Sequence, residues 1–229
     1  MNYPQSLKKG DTIGICAPSS GVTGVFSKKL DYAKSKLRKI GYNFKESKSV
    51  RNQRKLASAS SEIRAKEFMN LYLDENVKAI IPPWGGEILM DILPYLDFEK
   101  LKKAKSKWIL GFSDISTLLF VMTIKLDIST AHGPNLLDFG NDSIDSSVLR
   151  VLDILNSSNG DKIIQKSLSK YQEDWLDVKE NHFPPYDLTN EVKWKLLNKN
   201  EECFKGRLLG GNLDVISTLI GTPFDLVSQ

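Results

Sequence analysis

The stretch KWILGFSDISTLLFVMTI, residues 107–124, decides the fold. Lys107 to Phe112 is a short apolar run that reads as a buried strand, and Ile115 to Ile124 is an apolar run of helical length. Ser113 sits where one gives way to the other. Strand, Gly-x-Ser, helix is the order of a nucleophile elbow, in which a tight turn lifts a serine hydroxyl clear of a sheet. The helix start behind it aims unpaired N–H groups at developing negative charge. The last glycine of G-x-S-x-G is Ile115 here, so the match is partial. On spacing alone the plainer reading of Ser113, a helix cap, is the stronger. Both readings stay open.

Working outward, the same alternation recurs. Asp11 to Pro18 is a short apolar run ending in the turn cluster Pro18-Ser19-Ser20-Gly21. Ser27 to Ile40 carries Leu30, Ala33, Leu37 and Ile40 at helical spacing, with Gly41 as its stop. Tyr42 to Lys45 is a second short strand, and Ser60 to Asp74 an amphipathic helix with Ser60 or Ser61 as N-cap. Val77 to Pro82 is a third strand, followed by Trp84-Gly85-Gly86 and a short helix, Ile88 to Leu93, ended by Pro94. Thr130 to Pro134 reads as a further strand end and Ser146 to Leu155 as a helix. Such alternation predicts an α/β fold, a doubly wound parallel sheet covered by helices on both faces.

Beyond residue 157 the chain turns polar, with Trp175 and Trp194 as isolated aromatic anchors. Periodicity returns in GRLLGGNLDVISTLI, residues 206–220, which reads as a strand, a glycine turn and a helix start. The expected organisation is an α/β domain over residues 1–160, then a linker and an incomplete smaller α/β domain over 161–229.

Composition narrows the function classes. Of 229 residues, 32 are basic and 28 acidic, and the net charge of +4 is dispersed, unlike the basic stripe of a nucleic-acid binder. Two cysteines and two histidines, far apart in sequence, form no zinc spacing and no disulfide framework. No dinucleotide or phosphate-loop fingerprint occurs, so no cofactor is expected. The N-terminus lacks a signal-peptide layout and no apolar run spans a bilayer, which predicts a cytoplasmic protein without a membrane partner.

In a doubly wound sheet, ligands bind beyond the carboxyl ends of the strands. That rule brings Pro18-Ser19-Ser20, Trp84-Gly85-Gly86 and Gly111-Phe112-Ser113-Asp114 to one rim. Gly85-Gly86 permits close backbone approach and could supply oxyanion N–H groups, or could be an ordinary turn. Cys16 lies within an apolar strand and reads as packed and inert. His132, in AHGPN, invites a Ser–His pair but suits a structural turn better. His182 and Gly210-Gly211-Asn212 carry no specific signal.

Taken together, LKKGDTIGICAPSSG (7–21), RAKEFMNLYLDENVKAIIPPWGGEILMDILPYLD (64–97), GFSDIST (111–117), AHGPN (131–135) and GRLLGGNLDVISTLIGTPF (206–224) resemble the LD-carboxypeptidase family. That family includes the microcin C immunity peptidases, and the polar stretch with its tryptophans is similar to that branch. The resemblance implies that Ser113 is the nucleophile and that the N–H groups of Asp114 and of Gly85-Gly86 hold the oxyanion. It implies a small peptide or muropeptide substrate cut next to a terminal carboxylate, or in the microcin branch an aminoacyl-nucleotide mimic. Homodimers are common in the family and are an expectation here.

The family's general-base pair, a Glu and a His, lies beyond the element matched by Gly221-Thr222-Pro223-Phe224, and the sequence stops at Gln229. The expectation is therefore a truncated chain, inactive alone, with Leu208, Leu213 and Ile220 left uncovered. A non-catalytic module binding a peptide or aminoacyl ligand is the second reading. Recruitment of His132 or of an acidic side chain as a base, making a minimal hydrolase, is the third.

Overall fold

The computed structural model describes residues 1–174, 178–179, 182–195, 203 and 205–225. Trp175 lies outside the described residues.

Five parallel strands form one sheet in the order β2-β1-β3-β4-β5, with β1 at Thr12–Ile15, β2 at Asn43–Glu46, β3 at Val77–Ile80, β4 at Trp108–Gly111 and β5 at Ala131–His132. The chain turns one way after β1 and the other way after β3, so a topological switch lies between these two central strands. The central strands β1, β3 and β4 are mostly apolar because both faces are covered, whereas the edge strand β2 alternates exposed and half-buried residues. Ile13, Ile15, Ala79, Ile81, Trp108 and Leu110 point to one face. Cys16, Ile80 and Ile109 point to the other.

Helices α1 (Gly24–Ile40) and α5 (Ser146–Leu155), with the 3-10 turn Leu136–Gly140, close the first face through Leu30, Ala33, Leu37, Phe139, Val151 and Leu155. Helices α2 (Ser61–Leu73), α3 (Phe98–Lys103) and α4 (Ile115–Leu126) close the second through Phe68, Leu71, Leu101, Leu118 and Val121. The fold is thus the α/β architecture that the alternation predicts. Helix α4 is buried at nearly every position and has no polar face, which suits a helix covered on its outer side as well. Part of that cover is α6 (Leu213–Ser217): Asn212 N donates to Ser116 Oγ at 3.0 Å, and Ile216 and Leu219 join the core on this side.

Several elements depart from expectation. Residues 206–209 carry no regular secondary structure and pair with no strand among the described residues, and Leu208 is 97% exposed, so the expected strand there does not form. Trp194 is 82% exposed and anchors nothing. Pro94 lies inside the 3-10 turn Leu89–Tyr95 instead of ending it. Helix α3 was hidden by its length; its only sequence sign is Asp97, whose Oδ1 accepts the Lys100 N–H at 3.0 Å. In the polar stretch, β6 (Lys170–Tyr171) and β7 (Asn190–Glu191) form a short antiparallel ribbon. Among the described residues no helix is long and apolar enough to cross a membrane.

Candidate active site

Ser113 follows β4 and precedes α4 with φ +61°, a left-handed conformation uncommon outside glycine. A strained serine between a parallel strand and a helix is the geometry of an elbow. The N-cap of α4 is Asp114, and no side-chain cap bond is made. Ser113 therefore contributes only its carbonyl, which accepts the Ser116 N–H at 2.9 Å, and its hydroxyl is left half-buried at the rim. Among the described residues no imidazole or carboxylate hydrogen-bonds that hydroxyl.

The double glycine lies directly against it. A Cβ at Gly85 would stand 3.0 Å from Ser113 Cβ and 3.1 Å from both Ser113 Oγ and Asp114 N. Gly86 has φ +154°, and a Cβ there would come 2.2 Å from Ser19 Oγ. Both positions need glycine for close approach and, at Gly86, for conformation. Among the described residues the N–H groups of Gly85, Gly86 and Asp114 donate to no protein acceptor, so these donors are open at the place where Ser113 stands.

Asp114 joins the three strand ends. Its carboxylate is buried, and one oxygen, Oδ2, accepts both Ser19 Oγ at 2.5 Å and Leu89 N at 2.9 Å. Burial pushes its pKa above the usual carboxylate value against these two bonds and the nearby Arg64 charge. The fully buried Arg64 ties the same loops from behind, donating to Pro18 O at 2.6 Å and Ile88 O at 3.0 Å. Ser20 N bonds Gly85 O at 3.3 Å, and the Trp84 indole donates to Ser20 O at 3.1 Å and Gly21 O at 3.2 Å.

Ser113, Gly85 and Gly86 open into a cavity of about 640 Å³, within the range of small-molecule and peptide sites. Asn135, Asp138, Tyr186 and Lys29 share its wall, with Trp84 and Phe26 at ring-centroid distance 4.7 Å. Buried Asn135 stands behind the elbow, its Oδ1 accepting Phe112 N at 3.3 Å. Asp138 accepts Tyr186 OH at 2.6 Å and Asn135 N at 2.8 Å, and burial raises its pKa. Tyr186 thereby pins part of the polar stretch to the cavity.

His132 is not brought to Ser113. It pairs with Gly111 along β5 but lines a second cavity of about 510 Å³ that Ser113 does not touch. In AHGPN the residue at the elbow is Asn135, not His132. Cys16 is fully buried and burial pushes its thiol up, as a packed, inert cysteine requires. His182 is exposed beside Asp142 at 3.3 Å. Gly210-Gly211-Asn212 docks on α4 and does not line the Ser113 cavity.

A doubly wound parallel sheet with a strained serine at the carboxyl end of a central strand, facing a double-glycine turn, defines the class: an α/β protein with an elbow-type serine site. Residues 13–133 match the model of the LD-carboxypeptidase N-terminal domain, and the chain belongs to that family. It is 30% identical over 229 residues to a protein of Vibrio cholerae that carries a carboxypeptidase name, covering 98% of this chain and 66% of the relative. It is 29% identical to the Bacillus subtilis protein named "Probable murein peptide carboxypeptidase", covering 99% of this chain and 62% of that one. The Escherichia coli microcin C7 self-immunity protein MccF is 25% identical, over 95% and 63%. A solved structure of MccF in complex with aspartyl sulfamoyl adenosine superimposes with a TM-score of 0.82 at 23% identity, covering 96% of this chain and 66% of that one, a likeness of fold. The chain thus spans about two thirds of the length of these relatives.

Proposed function

We propose that this chain carries the nucleophile half of a serine carboxypeptidase-type hydrolase site. Ser113 attacks an amide carbonyl next to a terminal carboxylate, and the N–H groups of Asp114 and Gly85-Gly86 receive the oxyanion. The observation that carries this reading is the left-handed Ser113 packed on Gly85, with open N–H donors on both sides. A tetrahedral oxyanion is stabilised most by donors fixed before the reaction begins. The substrate class is a small peptide, such as a peptidoglycan L,D-tetrapeptide, or an aminoacyl-nucleotide mimic of the microcin type.

No base reaches Ser113 among the described residues, so the chain by itself is proposed to bind substrate and to turn it over slowly at most. Loss of the base in a triad typically costs about 10⁴- to 10⁶-fold in rate. Binding without turnover is the second reading, and the same observation favours it. The test is incubation of the full chain with a fluorophosphonate, alongside Ser113→Ala and His132→Ala. Slow labelling confined to Ser113 and indifferent to His132→Ala supports the proposal. Labelling of other residues, or dependence on His132, rejects it.

A further inference from the structure

Among the described residues, three lysines are more than nine-tenths buried: Lys29, Lys34 and Lys107. Two have partners. Lys34 Nζ stands 2.5 Å from Glu46 Oε2. Lys107 donates to the carbonyls of Leu71, at 3.3 Å, and Asp74. Lys29, 7% exposed, has neither a hydrogen-bond acceptor nor a carboxylate in ion-pair contact. Its stem is clamped against Gly140, where a Cβ would stand 2.8 Å from Lys29 Cγ. Lys29 is also part of the wall of the Ser113 cavity.

The Lys29 stem is buried while the ammonium itself stays open to the cavity, and an ammonium held on a partly desolvated wall is stabilised by an ion pair or by an anionic ligand. The carboxylate sharing this wall, Asp138, makes no ion-pair contact with the Lys29 ammonium, and its oxygens accept Tyr186 OH and Asn135 N. Its charge, with that of Asp142, favours the protonated amine from a distance, while burial lowers the Lys29 pKa more than they raise it. An anion entering the cavity would supply the partner that no protein group supplies among the described residues.

We propose that Lys29 is a specificity-determining residue of the Ser113 site, its ammonium receiving the carboxylate at the end of the peptide. This rests on the carboxypeptidase reading above. The shared chemistry is an oxyanion, and a nucleotide phosphate would satisfy the same ammonium. The carboxylate is favoured because the bond to be cut lies next to it, so one cavity must hold both the scissile carbonyl at Ser113 and the terminal charge.

The experiment is calorimetric titration of the full chain carrying Ser113→Ala, which keeps the probes intact. The probes are N-acetyl-L-lysyl-D-alanine, the same compound with a C-terminal carboxamide, and adenosine monophosphate. The acid is expected to bind at least about ten-fold tighter than the amide, a ratio lost in Lys29→Met while amide affinity stays within about two-fold. Lys29→Gln, with folding checked by circular dichroism, carries the test if the Met variant does not fold. An acid-to-amide ratio unchanged by both substitutions overturns the assignment. Equal binding of acid and amide with Lys29 in place overturns it alone and leaves the peptide reading standing. Adenosine monophosphate binding that depends on Lys29, without such dependence for the acid, moves the site to phosphate and overturns the carboxylate. Binding of neither peptide sinks both readings together.

Discussion

Because Asp114 receives Ser19 and Leu89 on the single oxygen Oδ2, with the Arg64 charge nearby, one acceptor is expected to hold the rim more than the charge does. An asparagine can place its carbonyl oxygen there and keep both bonds, without a buried carboxylate. Asp114→Asn is expected to change unfolding free energy by less than about 1 kcal/mol. Asp114→Ala, which leaves a buried hydroxyl and N–H unpaired, is expected to cost about 2–4 kcal/mol. Urea unfolding checks both, and equal losses would mean that charge, not the acceptor, holds the rim. Gly85 is the second residue whose change reads out cleanly. In Gly85→Ala the new methyl lies over Asp114 N and Ser113 Oγ, and fluorophosphonate labelling of Ser113 is expected to slow at least about ten-fold. Unaltered labelling would remove these N–H groups from the oxyanion role.

At the level of elements, Lys107 immediately precedes β4 with its ammonium under the C-terminal end of α2, where burial lowers its pKa to about 8. Between pH 8 and the ordinary lysine range the unfolded chain holds a proton that the folded chain has released. Unfolding free energy therefore rises with pH across that window. The gap in urea midpoint between the native chain and Lys107→Met is expected to shift in favour of the native chain from pH 8 to 10, and a constant gap rejects the linkage. The elements legible in sequence were those whose pattern is set by burial on a sheet face, such as Ser146–Leu155, which matches α5 residue for residue. Residues 206–209 read as a strand on apolar character alone but meet no partner strand among the described residues, because pairing is not a local property. Ser113, Gly85 and Gly86 were legible because a tight turn constrains residue type. Lys29 was not, although its position four before Ala33 places it on the buried stripe of α1. A lysine on a helix is ordinarily a solvated residue, and only the packing on Gly140 distinguishes this one.

Across the whole molecule, the part before residue 160 holds most of two cores, whereas among the described residues the later part adheres at separate points, such as Tyr186 on Asp138, Phe183 against Tyr32, Asn212 on Ser116, and Leu219 in the core beside α4. Leu208, Leu213 and Ile220 stay 97%, 77% and 67% exposed. Replacing all three with serine is expected to raise the concentration at which light scattering begins by at least about two-fold. No change would assign association to other surfaces. The ring of Trp84 has a different consequence. Its indole is fixed by the Ser20 and Gly21 carbonyls, leans on Phe26 and forms part of the cavity wall. Its emission therefore senses whatever enters. The chain carries an intrinsic fluorophore at the mouth of its own site, and occupancy can be followed optically without a label or a turnover event.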